Sequence, residues 1–285
     1  MLKESLPNLH AWVLYLENFQ IPILPKTAEA LQSMAPDADH VTAKLLSDAI
    51  LHDPFMTVKV IRHLQERRSN SQRSEITTVA HAIMMLGVIP FFRNFQNQPT
   101  LDNALANYPE ARAGINNVLI RARLAATFAS AWAKVRHDLE SDELIIAALL
   151  HDISEMLLWC SAPDLAWQIN TQLKRNPGMR SHVAQKAVLG FTLQELQLQL
   201  SQAWHLPGML THLMDEKQDQ KSPRTHIAIL ATRLARHISN GWDDPALPDD
   251  YQEVATLLNM DVQLVKPYLE KLSIKVSTEI DWYTA

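Results

Sequence analysis

Hydrophobic residues recur along most of the chain at the spacing of an α-helix. In residues 40–51, for example, one face of a helix would carry Val41, Leu45, Leu46 and Ile50. Apolar positions separated by three and four residues are typical of amphipathic helices, whereas strict alternation indicates strands. Alternating runs are scarce in this sequence. The pattern therefore predicts an all-α protein.

The ends of several helices can also be read from the sequence. Asp53 followed by Pro54 has the pattern of an N-cap and a first helical residue. The dipeptide His52-Asp53 is accordingly attributed to capping. A later amphipathic run ends at Gly87, a residue suited to closing a helix. Residues 96–114 mix proline, asparagine and glycine, which predicts a break between two lobes.

The second lobe is predicted to begin with an alanine-rich helix over residues 118–135, whose small side chains permit close helix packing. A second helix is predicted to run without interruption from about residue 138 to 159. The C-terminal tail, residues 261–280, is expected to be helical and to pack on one lobe, with Pro267 kinking it or marking its start.

Glycine is rare enough to exclude whole classes of protein. The chain of 285 residues contains 6 glycines, although an average usage of roughly 7% would give about 20. Neither a GxxxxGK[ST] nor a GxGxxG motif occurs. Phosphate-binding loops and Rossmann-type dinucleotide sites are therefore excluded.

Composition and charge narrow the possibilities further. The chain is 47% hydrophobic with a formal net charge of −5, which describes a globular protein and makes nucleic acid an unlikely partner. The densest basic group is interpreted as solvated loop charge and comprises Arg62, Arg67, Arg68 and Arg73. A single cysteine, Cys160, forms no intramolecular disulfide, so we predict a cytoplasmic protein. No membrane span is predicted, because no segment is expected to reach the run of about 18 apolar residues that a span needs.

Most candidate chemistry lies in the run AALLHDISEMLLW, residues 147–159, where His151 and Asp152 stand side by side within an otherwise apolar helical run. Such a pair either binds a metal for hydrolysis or is a buried, hydrogen-bonded remnant of such a site. Cys160 is interpreted as a buried thiol, and Trp12 as a packing residue. We predict that His226 and His237 lie at the surface or in the core and bind no ligand.

Five stretches resemble, in the same order, the HDOD family, the HD-related output domains of bacterial signalling proteins. They are residues 21–31, 52–64, 76–87, 143–159 and 189–207. The resemblance implies an all-α fold with two helical lobes, the second related to HD phosphohydrolases. It divides the chain into an N-terminal amphipathic segment, an N-terminal lobe, an HD-like lobe and a helical tail, at residues 1–20, 21–114, 115–240 and 241–285.

The parent HD fold binds a catalytic metal through the His-Asp pair, an earlier histidine and a distant aspartate. The resemblance aligns three positions of this chain with further ligands. Arg121 or Arg123 stands at the earlier histidine, Leu193 or Gln194 at a later histidine of some relatives, and Thr232 at the distant aspartate. None of these is a usual metal ligand, and a nearby arginine would repel a cation. The pair is followed by Ile153-Ser154, where the resemblance leads us to expect Ile-Gly.

The resemblance therefore implies a non-catalytic regulatory domain that binds a signalling protein or a small anionic ligand and needs no cofactor. His151 and Asp152 are interpreted as a vestigial site without bound metal. We expect Arg121 or Arg123 to supply positive charge beside Asp152 in place of the metal. The alternative is a metal-dependent phosphohydrolase acting on a nucleotide or a cyclic dinucleotide.

Overall fold

The computed structural model describes residues 1–67, 75–176 and 178–284 and is 73% helical. Within those ranges no strand forms, and one isolated parallel bridge joins Ile23 to Thr100. The prediction of an all-α protein is confirmed.

The α-helices of the described residues are numbered here in chain order. They are α1 (Leu9–Glu17), α2 (Pro25–Met34), α3 (Ala43–Ile50), α4 (Pro54–Glu66), α5 (Val79–Leu86), α6 (Val88–Phe95), α7 (Leu101–Leu105), α8 (Pro109–Val135), α9 (Ser141–Leu150), α10 (Ile153–Ser161), α11 (Pro163–Arg175), α12 (Ser181–Leu189), α13 (Leu193–Ala203), α14 (Gly208–Met214), α15 (Pro223–Ile238), α16 (Leu247–Leu258), α17 (Val262–Thr278) and α18 (Asp281–Thr284).

The chain forms two compact units, and each is built from two separate segments. Unit 1 comprises Met1–Val118 and Asp152–Pro207, and unit 2 comprises Leu119–His151 and Gly208–Ala285. The first change of unit falls close to the lobe boundary expected at residue 114. The division made from the sequence is linear, with residues 115–240 in one lobe. In the structure the chain returns to unit 1 at residue 152 and to unit 2 at residue 208.

Unit 1 incorporates the N-terminal segment in its core. Helix α1 packs on α13, and the Trp12 side chain is fully buried. Its ring meets Phe191 edge-on, with 6.4 Å between ring centroids. The interpretation of Trp12 as a packing residue is confirmed.

The predicted caps of α4 and α5 are also confirmed. Asp53 Oδ1 accepts hydrogen bonds from the backbone N–H groups of Phe55 and Met56 at 2.9 and 3.0 Å, so it caps α4. Its Oδ2 accepts the N–H of Leu24 at 2.7 Å, which ties the chain before α2 to the start of α4. Gly87 ends α5 with φ +86°, a conformation that glycine adopts without a steric penalty.

Unit 2 is a layered helical assembly. Helix α9 packs on α14 and α15, and α15, α16 and α17 then pack in succession. The C-terminal tail is therefore part of this unit, as the sequence suggested. Pro267 lies inside α17, so it does not mark the start of that helix.

One apolar segment departs from the sequence-based expectation. Ser141–Ser161 is long and apolar enough, by composition, to cross a membrane, although no such segment was expected. However, 89% of its most apolar window is buried within the fold. Its hydropathy therefore reflects a core position, and the absence of a membrane partner stays a prediction.

Helix α8 approaches α10 closely at Gly114. A Cβ atom added there would lie 2.5 Å from the Trp159 ring. Replacing a helical glycine by alanine normally stabilises a protein by about 1 kcal/mol. At this position we expect Gly114→Ala to destabilise unit 1 by about 1–3 kcal/mol, because the buried indole must be displaced.

Denaturant melts followed by circular dichroism would measure the change. The matched control is Ala113→Gly at the exposed neighbouring position, which should cost about 1 kcal/mol through helix propensity alone. A stabilised Gly114→Ala variant would contradict the close approach of α8 to Trp159.

Candidate functional site

His151 and Asp152 form a two-residue break between two helices. Helix α9 ends at Leu150, and α10 begins at Ile153. The carbonyl of Asp152 accepts the N–H groups of Glu155 and Met156 at 3.0 and 3.1 Å, which starts the new helix. The prediction of one uninterrupted helix is therefore wrong. Aspartate has low helix propensity because it favours helix starts over helix interiors.

Both side chains of the pair are buried. His151 is 4% exposed and Asp152 is 7% exposed. The change of unit falls between them, since His151 closes a segment of unit 2 and Asp152 opens a segment of unit 1. Their predicted burial is confirmed, and buried polar groups of this kind are nearly always hydrogen-bonded.

The side chains do not fit the donor set that a catalytic metal requires. Among residues 1–67, 75–176 and 178–284, no group of three or more histidine, cysteine, aspartate or glutamate side chains is arranged to hold a metal ion. A hydrolytic metal needs about three protein ligands besides water. Thr232 is buried and donates its hydroxyl to the Ala228 carbonyl of its own helix, at 2.9 Å. Leu193 presents a buried hydrocarbon side chain.

Arg123, one of the two arginines expected to replace the metal charge, already has a carboxylate partner in unit 2. Its Nε lies 2.7 Å from Glu279 Oε2, and both side chains are largely buried. The guanidinium therefore neutralises the charge of Glu279 and fixes the end of α17 to α8. A compensating role beside Asp152 stays a prediction for Arg121 and Arg123.

Ser154 has a role that the sequence did not indicate. Its hydroxyl donates to the Leu193 carbonyl at 3.0 Å, and its N–H donates to Gln197 Oε1 at 3.2 Å. Both contacts are buried and join α10 to α13. Ser154 thus fixes the start of α10 within unit 1.

Sequence reasoning also missed two arginine-centred networks in unit 2. Arg224 contacts Asp138 and Glu143, each at 2.9 Å, and so braces the turn between α8 and α9. Arg233 contacts Asp250 at 3.1 Å and Glu253 at 2.6 Å. The partners are distant in sequence or lie on another helix, so spacing gave no signal of these pairs.

The two histidines singled out on α15 also pair with carboxylates. His226 Nδ1 lies 2.8 Å from Asp219, and His237 Nδ1 lies 2.5 Å from Asp250. Both are largely buried within unit 2. These contacts join α15 to the chain before it and to α16.

One member of the basic group, Arg62 on α4, is not simply solvated. Arg62 stacks over the Trp204 ring at 5.6 Å from its centroid and donates to the Glu17 carbonyl at 3.0 Å. The interpretation as loop charge is wrong for Arg62, which lies within a helix. Arg68 and Arg73 fall outside the described residues.

Cys160 has the environment of a structural thiol. The side chain is buried, and this burial raises the pKa of the thiol far above its ordinary value. Because the thiolate is the nucleophilic form, Cys160 is unreactive at neutral pH. The structure therefore supports its interpretation as a packing residue.

The burial of the pair leads to a stability prediction. We expect His151→Ala and Asp152→Ala each to lower the free energy of unfolding by about 1–3 kcal/mol, since each leaves a buried group without its partner. Denaturant melts would test this. Unchanged midpoints for both variants would show that the pair contributes nothing to the fold.

Comparison with known proteins gives one family and several structural relatives. The family model described as HDOD domain matches residues 21–220. A virulence factor from Campylobacter jejuni superposes with a TM-score of 0.69 at 18% identity, covering 94% of this chain and 96% of that one. The MmoQ response regulator from Methylococcus capsulatus gives a TM-score of 0.62 at 19% identity, with 88% and 98% covered. No curated protein sequence matches the chain. At these identities the likeness shows the fold alone.

Proposed function

Since the chain belongs to the HDOD domain family, we propose that it is a non-catalytic output domain of bacterial signal transduction, which acts by binding a protein or a small anionic ligand. Family membership supports the signalling role, and the structurally similar MmoQ protein, a response regulator, agrees with it. The finer part of the proposal, that the domain does not hydrolyse its ligand, depends on the chemistry of the His151-Asp152 region.

The observation that carries this finer part is the set of side chains available to a metal. His151 and Asp152 are two adjacent donors, and the described residues add no third to form a cluster. At the positions that the resemblance aligns with further ligands of the parent fold or of some relatives, the chain has Arg121 or Arg123, Leu193 or Gln194, and Thr232. A metal held by two side chains would depend mainly on water, so its position and the pKa of its bound water would be poorly controlled.

Metal analysis of protein purified without chelator tests the proposal, together with assays for hydrolysis of phosphodiesters and cyclic dinucleotides in added Mn²⁺ or Mg²⁺. We expect substoichiometric metal and no turnover above background. Asp152→Asn is the matched control, because it removes the charge but keeps a similar shape. Stoichiometric metal and turnover that are both lost in Asp152→Asn would instead establish a phosphohydrolase.

Ligand binding can be tested separately by thermal melts with a panel of nucleotides and cyclic dinucleotides. A ligand that binds only the folded state raises the melting temperature. A rise that is smaller in Arg121→Met would support an anionic ligand at this region. If no member of the panel shifts the melt, the anionic ligand is discarded and a protein partner remains.

A further inference from the structure

Helices α11 and α12 form a basic hairpin in a protein that is acidic elsewhere. They pack against each other and are joined by residues 176–180. Residues 165–194 are the longest stretch of the chain without aspartate or glutamate, and they contain four lysines and arginines. The formal net charge of −5 therefore divides into +4 in this stretch and −9 in the remainder. The one acid on either helix is Asp164, in the first turn of α11.

The cations of the hairpin are free to meet a partner. All four side chains are exposed, and none forms an ion pair with a carboxylate in the part of the chain that the structure describes. They are Lys174, Arg175, Arg180 and Lys186. The arginines of α8 show the contrast, since Arg112 lies 2.8 Å from Asp102 and Arg123 lies 2.7 Å from Glu279. Charges that the fold leaves unpaired create a potential that attracts groups of the opposite sign.

The hairpin also exposes large apolar side chains. Trp167 on α11 is 47% exposed, whereas the other six tryptophans are buried or partly buried. Val183 on α12 is 48% exposed. Trp167 and Lys174 are seven residues apart and share one side of α11, and Val183 and Lys186 are three apart and share one side of α12. Each helix thus presents an apolar side chain beside a cation. Tryptophan and arginine are the residues most enriched at the energetic centres of protein interfaces.

We propose that the hairpin binds an acidic, amphipathic segment of a partner protein, whose carboxylates meet the four cations and whose apolar side chains cover Trp167 and Val183. This inference rests on the protein-binding part of the proposed function, to which it adds a surface and the chemistry of the partner. Charge complementarity selects carboxylates. Val183 selects protein over single-stranded nucleic acid, because bases stack on aromatic rings and not on aliphatic side chains.

Fluorescence anisotropy of the full chain with a labelled peptide tests the proposal. The probe has about a dozen residues in which glutamate pairs alternate with leucine and phenylalanine, and its counterpart has glutamine in place of glutamate. We expect the glutamate peptide to bind, and the glutamine peptide to bind at least about tenfold more weakly. Added NaCl should weaken the binding, because exposed charges are screened.

Variants of the chain locate the binding surface. Trp167→Ala should raise the dissociation constant about tenfold, as at an interface hot spot. Lys174→Glu and Lys186→Glu should each raise it at least about fivefold, because repulsion replaces attraction. The matched controls are Ile274→Ala and Lys271→Glu, two exposed positions on α17, which should leave binding unchanged. All five substitutions are at exposed residues, so circular dichroism and melting temperatures should match those of the unmodified chain.

Two results would overturn the proposal directly. One is a glutamate peptide that does not bind, and the other is a peptide that binds the hairpin variants as tightly as the unmodified chain. The second result would leave a protein-binding role standing, while metal-dependent turnover would refute the proposed function itself. A labelled oligothymidylate and vesicles containing phosphatidylserine are measured in parallel. If either binds with the same dependence on Trp167 and Lys174 while the peptide does not, the hairpin takes a nucleic acid or a membrane and the proposal is wrong.

Discussion

Replacing Trp12 by alanine is expected to lower the free energy of unfolding by about 3–5 kcal/mol, the usual cost of removing a large buried aromatic side chain. The indole is fully buried in unit 1. It meets Tyr15 and Phe191 edge-on at 6.3 and 6.4 Å, so the change removes two aromatic contacts and leaves a cavity beneath α1. Denaturant melts followed by far-ultraviolet circular dichroism would measure the loss.

The matched control for this prediction is Leu14→Ala on the same helix. Leu14 is half exposed, so we expect a change within about 0.5 kcal/mol. Equal effects of the two variants would mean that α1 is only loosely attached to unit 1. The prediction matters because the HDOD family match begins at residue 21, after α1 has ended.

Asp53→Ala is expected to cost about 2–4 kcal/mol. The carboxylate is completely buried and accepts hydrogen bonds from three backbone N–H groups, those of Leu24, Phe55 and Met56. Loss of an N-cap costs about 1 kcal/mol, and each buried donor left without a partner adds about 1–3 kcal/mol before relaxation. The same melts would detect the change.

Asp53→Asn separates the two roles of this residue. Asparagine caps helices well, so the contacts to Phe55 and Met56 should survive. Its amide group would then face the N–H of Leu24, and that contact should be lost. We expect a smaller destabilisation than for alanine. An asparagine variant as unstable as the alanine variant would contradict this division of roles.

Local signals in the sequence were sufficient for much of the fold. Helical periodicity predicted the all-α class, because a buried helix face repeats within a few residues. The caps at Asp53 and Gly87 were predictable for the same reason, since capping depends on neighbouring backbone groups. The burial of His151 and Asp152 followed from the apolar run around them.

Features that depend on contacts between distant residues were not predictable. Arg123 and Glu279 are 156 positions apart, and no periodic pattern connects them. The break at residues 151–152 was missed because apolar periodicity continues on both sides of it. The position of α1 was only weakly indicated, because a short amphipathic segment can pack on its own domain or on a partner.

The interleaved segments of the two units have a consequence for how the protein folds during synthesis. Domains usually fold in order as they leave the ribosome, the N-terminal one first. Here unit 1 lacks the partners of α1 and α7 until residues 152–207 have emerged. By then residues 119–151 are already outside the ribosome, although their own unit needs residues from 208 onward. The nascent chain therefore exposes apolar helix faces over a long interval, and it is expected to rely on chaperones until the last helices have been made.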